Sequence, residues 1–230
     1  MVALWMLIFA TPLFLWATDK PSSYLAMSLA IQQGWAKLKK TIYQAVKYRY
    51  IIRFLFARML YMDGLNTLFA FGGIYAAGTF GMSFPELIYF GIILNVTAGL
   101  GAVGFAWLDD KIGPKRVIQI SIIGLIIFFS ALLFVESKTL FWTFAIPLGV
   151  FVGPTQAASR SMLAHLSPES IRTEMFGLFA LSGKATAFIG PAILAFITNE
   201  LNSQRAGMTI ILVFFALGLA LLAGVPKIRN

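Results

Sequence analysis

Apolar residues in this chain run in long blocks. They do not fall in the i, i+3, i+4 stripe of a half-buried soluble helix or in the alternation of a surface strand. Seven blocks stand out: Met1–Ala17, about Phe54–Thr79, Glu86–Leu108, Val117–Val135, Leu140–Leu163, Met175–Thr198 and Gly207–Val225. Each is close to the roughly 20 residues a helix needs to cross about 30 Å of hydrocarbon. Most connections between them are short. The pattern predicts an all-α, polytopic membrane protein with seven transmembrane helices. The one long connection is Thr18–Tyr50, where Tyr24, Leu25, Leu29, Trp35, Leu38, Ile42 and Val46 recur at near-helical spacing with lysines between them. That spacing predicts either an amphipathic helix lying on the membrane surface or a solvated linker helix.

Composition agrees with a bilayer as solvent. The chain is 59% hydrophobic and 12% charged, against about 45–50% and 25% in soluble domains. The net charge of +9 sits in the loops. Lys37, Lys39, Lys40, Lys47, Arg49, Lys111, Lys115, Arg116, Arg172, Lys227 and Arg229 fall on one predicted side, against Lys138 and Arg205 on the other. The positive-inside rule then puts the C-terminus in the cytoplasm and the N-terminus outside. The same rule accounts for the basic charge without a nucleic-acid partner. Cysteine is absent and His165 is the single histidine, so neither a metal cluster nor a Ser-His-Asp set is expected, and no phosphate-binding GxxxxGK[ST] loop occurs. Neither an enzyme nor a cofactor is expected. Met1–Ala17 lacks a basic leader and a small-x-small cleavage site, so it reads as a span rather than a signal peptide.

The polar residues inside the blocks carry the chemistry, because a charge at the bilayer centre costs about 3 kcal/mol or more unless it pairs or meets water. Asp63 lies ten residues beyond Arg53, about 15 Å along a helix. Asn66 and Thr67 share its face at i+3 and i+4. Lys184, nine residues beyond Met175, reaches a depth of about 13 Å. Asn95, nine residues after Glu86, enters from the other side to a similar depth. A carboxylate, an ammonium and an amide are therefore expected near the midplane, where transporter sites lie. Asp63 and Lys184 read either as a substrate-binding or proton-coupling pair or as an ion pair pinning helices. Arg58, about 7 Å past Arg53, is expected to snorkel to the surface. Gln156 and Ser159 follow Gly153-Pro154 and are expected to line a cavity near the cytoplasmic end. Gly99, Gly101, Gly149, Gly153, Gly190 and Pro191 read as close packing and kinks, or as hinges.

Between the third and fourth blocks Asp110, Lys111, Gly113, Lys115 and Arg116 compress an acid, three bases and a glycine into one turn. This loop resembles the signature G-x-x-x-D-[RK]-x-G-[RK]-[RK] of the major facilitator superfamily, with Ala106 at the first glycine and Pro114 inserted before the last basic pair. The resemblance makes it a gating loop. Arg58-Met-Leu-Tyr-Met-Asp63-Gly64, the stretch Phe151 to Arg160, the stretch Phe176 to Lys184, and Ser203 to Gly207 are similar to the vacuole-effluxer-like (autophagy-related permease) family. That family implies twelve spans and secondary-active transport of a small solute by alternating access. Its fungal members are linked to amino-acid efflux. Aligned this way, 1–17 corresponds to helix six, 18–52 to the central cytoplasmic linker and 53–230 to the six-helix C-terminal bundle. The chain is then expected to be an N-terminally truncated half. Its partners would be the lipid bilayer, a small-molecule substrate and a missing N-terminal half or second copy; if it is bacterial, the membrane is the plasma membrane. The alternative is a non-transporting scaffold or a self-dimerising half-transporter.

Overall fold

The structure is a computed structural model that describes residues 2–16, 28–29, 31–36, 39 and 48–226. Every regular element among them is helical. The chain forms two units, Met1–Lys40 and Thr41–Asn230. The first contains α1, Val2–Trp16, in which Pro12 is preceded by Thr11, whose hydroxyl donates back to Leu7 O at 2.5 Å. Of the expected linker helix, 28–29, 31–36 and 39 are helical; its remainder up to residue 47 lies outside the described residues.

The second unit holds the bundle. Its helices are α2 (Arg49–Phe80), α3 (Phe84–Ile112), α4 (Pro114–Phe134), α5 (Lys138–Leu166), α6 (Arg172–Ala185), α7 (Ile189–Leu201) and α8 (Gln204–Ala223), with a 3-10 turn at Glu169–Ile171. Five segments are long and apolar enough to cross a membrane: Phe84–Ile112, Pro114–Phe134, Lys138–Leu166, Glu169–Leu201 and Gln204–Ala223. The 32-residue α2 carries Arg49, Arg53, Arg58 and Asp63 and is not among them, and α1 is shorter at 15 residues.

Turn chemistry sets the up-and-down path. Gly81 ends α2 in the left-handed region at φ 61°, a conformation open to glycine. Ser83 and Glu86 then form the capping box that starts α3, with Ser83 N–H donating to Glu86 Oε2 at 2.7 Å. A single residue, Gly113 at φ 83°, separates α3 from α4.

Helix pairs approach through small residues. A Cβ built on Gly101 would overlap Val150 O, and one on Gly153 would overlap Ala98 O. This explains why α3 and α5 lie backbone to backbone; α5 itself runs unbroken through Pro147 and Pro154. Helix α2 packs on α8, α4 sits between α5 and α8, and α7 packs on α8 and α2. Phe54, Tyr61, Ile122, Phe129, Ile211 and Phe215 fill the core at 0% exposure. On α3, Ile88, Ile92, Val96, Leu100, Val103 and Trp107 form an exposed apolar stripe, the face expected of a helix solvated by lipid.

Cations cap the antiparallel pair α4 and α8 at both ends. Lys115, at the start of α4, donates to Ala223 O at 2.9 Å and also to Val225 O. Arg205, at the start of α8, donates to Val135 O at 2.7 Å. Each cation meets carbonyls left unpaired at a helix C-terminus, where the helix dipole is negative.

Candidate functional site

The block 175–198 folds as two half-helices. Helix α6 ends at Ala185, residues Thr186, Ala187 and Phe188 form a turn, and α7 begins at Ile189. Pro191 explains the break, since it has no N–H for the carbonyl of Ala187 and its ring crowds that carbonyl.

Asp63 meets α7 at this break. The residue is 2% exposed, and its Oδ2 accepts the Gly190 N–H at 3.1 Å. Gly190 lies in the first turn of α7, where N–H groups lack helical partners and the dipole is positive. Its lack of a side chain permits the contact: a Cβ there would overlap Thr67 Oγ1, which donates to Asp63 O at 2.7 Å one turn along α2. Asp63 Oδ1 is buried with no hydrogen-bond partner among the described residues. One oxygen is therefore committed to the half-helix and the other is uncommitted. Such a carboxylate can hold a proton or a cationic group, and broken helices are where transporters place such sites.

A second polar feature opens alongside. Arg58, Asn66, Arg160, Phe176, Phe179 and Lys184 are among the residues lining a cleft of about 560 Å³ between α2, α5 and α6. Arg58 does not snorkel, contrary to expectation. It is 8% exposed; Nη1 donates to Phe179 O at 2.7 Å and to Ser182 Oγ at 2.9 Å, and the guanidinium lies 3.5 Å from the centre of the Phe179 ring. Two hydrogen bonds and a ring contact on α6 outweigh the reach to the surface. Asn66 Nδ2 donates to Gly183 O at 3.4 Å across the same α2–α6 contact. Lys184 and Arg160 are exposed at the cleft.

The expected site residues thus separate into groups. Asn66 and Lys184 share the cleft, and Asp63 sits at the helix break. No ion pair joins Asp63 to Lys184 among the described residues. Asn95 lines a different, apolar cavity of about 230 Å³ between α2, α3, α4 and α5, and its Nδ2 donates to Gly91 O in its own helix at 2.8 Å. Gln156 is half-buried on α5. In the α3–α4 turn, Lys115 is anchored on α8, Lys111 Nζ stacks 3.5 Å over the Trp107 ring, and Asp110 and Arg116 are exposed. Arg58 and Arg160 were missed by depth arithmetic. No sequence signal separates them from arginines that snorkel to the surface.

Comparison with known proteins places the chain in a family. The family described as vacuole effluxer Atg22 like matches residues 1–230. The chain is 25% identical over 194 residues to a Bacillus subtilis (strain 168) protein described as the uncharacterized MFS-type transporter YxiO, covering 84% of this chain and 45% of that protein. It is 24% identical over 229 residues to autophagy-related protein 22 of Coccidioides immitis, covering 89% and 38%. It is 23% identical over 249 residues to autophagy-related protein 22 of Kluyveromyces lactis, covering 100% and 51%. The chain therefore spans about half, or less, of the length of these curated relatives.

Proposed function

The chain belongs to the vacuole effluxer Atg22-like family, and from that premise we propose that it forms one wall of a secondary-active membrane transporter for a small solute. The observation that carries this reading is the buried Asp63 carboxylate at the N-terminus of the half-helix α7, with Oδ1 uncommitted. In this reading the chain crosses the membrane seven times, with α1, α2, α3, α4, α5, the broken α6–α7 pair and α8 as the spans. Its C-terminus is cytoplasmic by the charge bias. Residues 18–52 form the surface linker and 53–230 the six-helix bundle.

Alternating access rocks two bundles around a central site. The cleft on α2, α5 and α6 faces a second bundle, supplied by further polypeptide, a separate chain or a second copy. Asp63 exchanges a proton as the α6–α7 break flexes, Asn66 and Lys184 contact the solute, and Asn95 and Gln156 border the path. The turn of Asp110, Lys111, Gly113, Lys115 and Arg116 governs rocking through its anchor on α8. The family's description as a vacuole effluxer, and the MFS-type transporter name of the Bacillus relative, support a transporter of this class.

The test is uptake of labelled leucine and glutamate, driven by a pH gradient, in vesicles from cells that express the chain together with a polypeptide supplying the second bundle. Asp63→Asn keeps an oxygen for the Gly190 N–H but cannot exchange a proton. It is expected to abolish gradient-driven uptake at unchanged protein level. Uptake equal to that of the unsubstituted chain would remove Asp63 from the coupling mechanism.

A further inference from the structure

The cleft beside the helix break has a one-sided electrostatic character. Arg58, Arg160 and Lys184 supply three cations, Asn66 adds an amide, and no Asp or Glu is among its lining residues. Neither Arg160 nor Lys184 makes an ion pair among the described residues. Like charges gathered on low-dielectric walls repel one another and focus a positive potential.

Arg58 is built into the cleft rather than draped over it. It is 8% exposed, and Phe179 O and Ser182 Oγ hold Nη1. Its Nε is buried without a hydrogen-bond partner among the described residues. Gly183 makes room for it: a Cβ at that position would stand 2.8 Å from Nη1 and 3.0 Å from Nη2. A buried guanidinium with an unused N–H is costly unless an acceptor completes it. The fork geometry of arginine suits a planar oxyanion, and a second arginine and a lysine nearby suit a net negative ligand. Phe176 and Phe179 give the same cleft an apolar wall.

We propose that this cleft is an oxyanion site that takes the carboxylate or phosphate group of a small organic anion through Arg58, Arg160 and Lys184. It deepens the transporter reading and rests on it for the ligand's role. Asp63 lies at the helix break and is not among the cleft's lining residues. The proton-linked carboxylate and the anion site are therefore separate, which suits a solute of net negative charge better than a zwitterion held between Asp63 and Lys184. Oxyanions reach a membrane protein as solutes or as lipid headgroups, and the test separates the two.

The purified full chain is placed in phosphatidylcholine nanodiscs, and its thermal unfolding is followed while succinate or inorganic phosphate is added. Saturable stabilisation by either is the expected result and assigns the site to a solute. Stabilisation seen only when phosphatidylglycerol replaces part of the lipid keeps the oxyanion site and assigns it to a headgroup. Lys184→Gln and Arg160→Gln alter exposed side chains, so they leave the fold intact. Each is expected to weaken the apparent affinity by about tenfold. Arg58→Lys, which keeps the charge and loses the fork, is expected to weaken it as well. No stabilisation by any of these anions, or stabilisation that survives the Arg160→Gln/Lys184→Gln pair, overturns the proposal. The measurement needs no transport, so it can fail while uptake persists, and the reverse.

Discussion

Arg58 and Gly190 show how single residues decide this structure. Arg58 was expected at the surface by length alone, yet its azimuth on α2 turns it onto α6, where Phe179 O and Ser182 Oγ receive it. Depth follows from residue counting at about 1.5 Å per step. Direction around the helix depends on which neighbour packs there, and no count supplies it. Asn95 makes the same point: residue counting sets it at a depth similar to that of Lys184, but α3 turns it toward an apolar cavity. Most of the glycines, by contrast, were legible, because close helix contact has no other cheap solution: Gly101, Gly149, Gly153 and Gly190 sit in close contacts, whereas Gly99, expected among them, meets nothing within 4 Å. Gly101→Leu must displace Val150 O of the α5 backbone, so it is expected to cost about 1–3 kcal/mol of stability. Gly99→Ala meets nothing within 4 Å and is expected to leave melting in detergent unchanged. Equal melting of the two variants would show that α3 and α5 are not in backbone contact.

At the scale of elements, the apolar blocks located the helices of the bundle to within a few residues, and Gly190-Pro191 marked the place where one of them breaks. What the sequence could not show was that the break would supply an N–H to Asp63, because that contact joins residues 127 positions apart. Pro191→Ala restores a donor for Ala187 O. It is expected to slow amide exchange across 186–192 by letting α6 and α7 merge; unchanged exchange would mean that proline does not hold the break open. The α3–α4 turn was read as a gate from its resemblance, and its lysine proves to be a cap on α8. Lys115→Met removes the donor to Ala223 O and Val225 O. It is expected to lower stability by about 0.3–2 kcal/mol, read from the midpoint of unfolding in sodium dodecyl sulfate. Arg205→Met, at the opposite end of the same helix pair, is expected to act alike.

The whole molecule combines two surfaces that no soluble protein would present together. Helix α3 offers lipid an apolar stripe through Val103, while α2, α5 and α6 carry a cleft with three cations. The account requires the first to face hydrocarbon and the second to face water along a solute path. Because the chain contains no cysteine, a single introduced thiol reports its own surroundings. The most direct test compares Ala180→Cys, in the cleft, with Val103→Cys, on the stripe, in nanodiscs open to solvent on both faces. The reagent is the water-soluble, anionic thiol reagent MTSES. The account predicts that position 180 reacts at least about tenfold faster than position 103, since a sulfonate does not enter hydrocarbon. Equal rates, or faster reaction at 103, would contradict it and take the cleft out of any aqueous pathway.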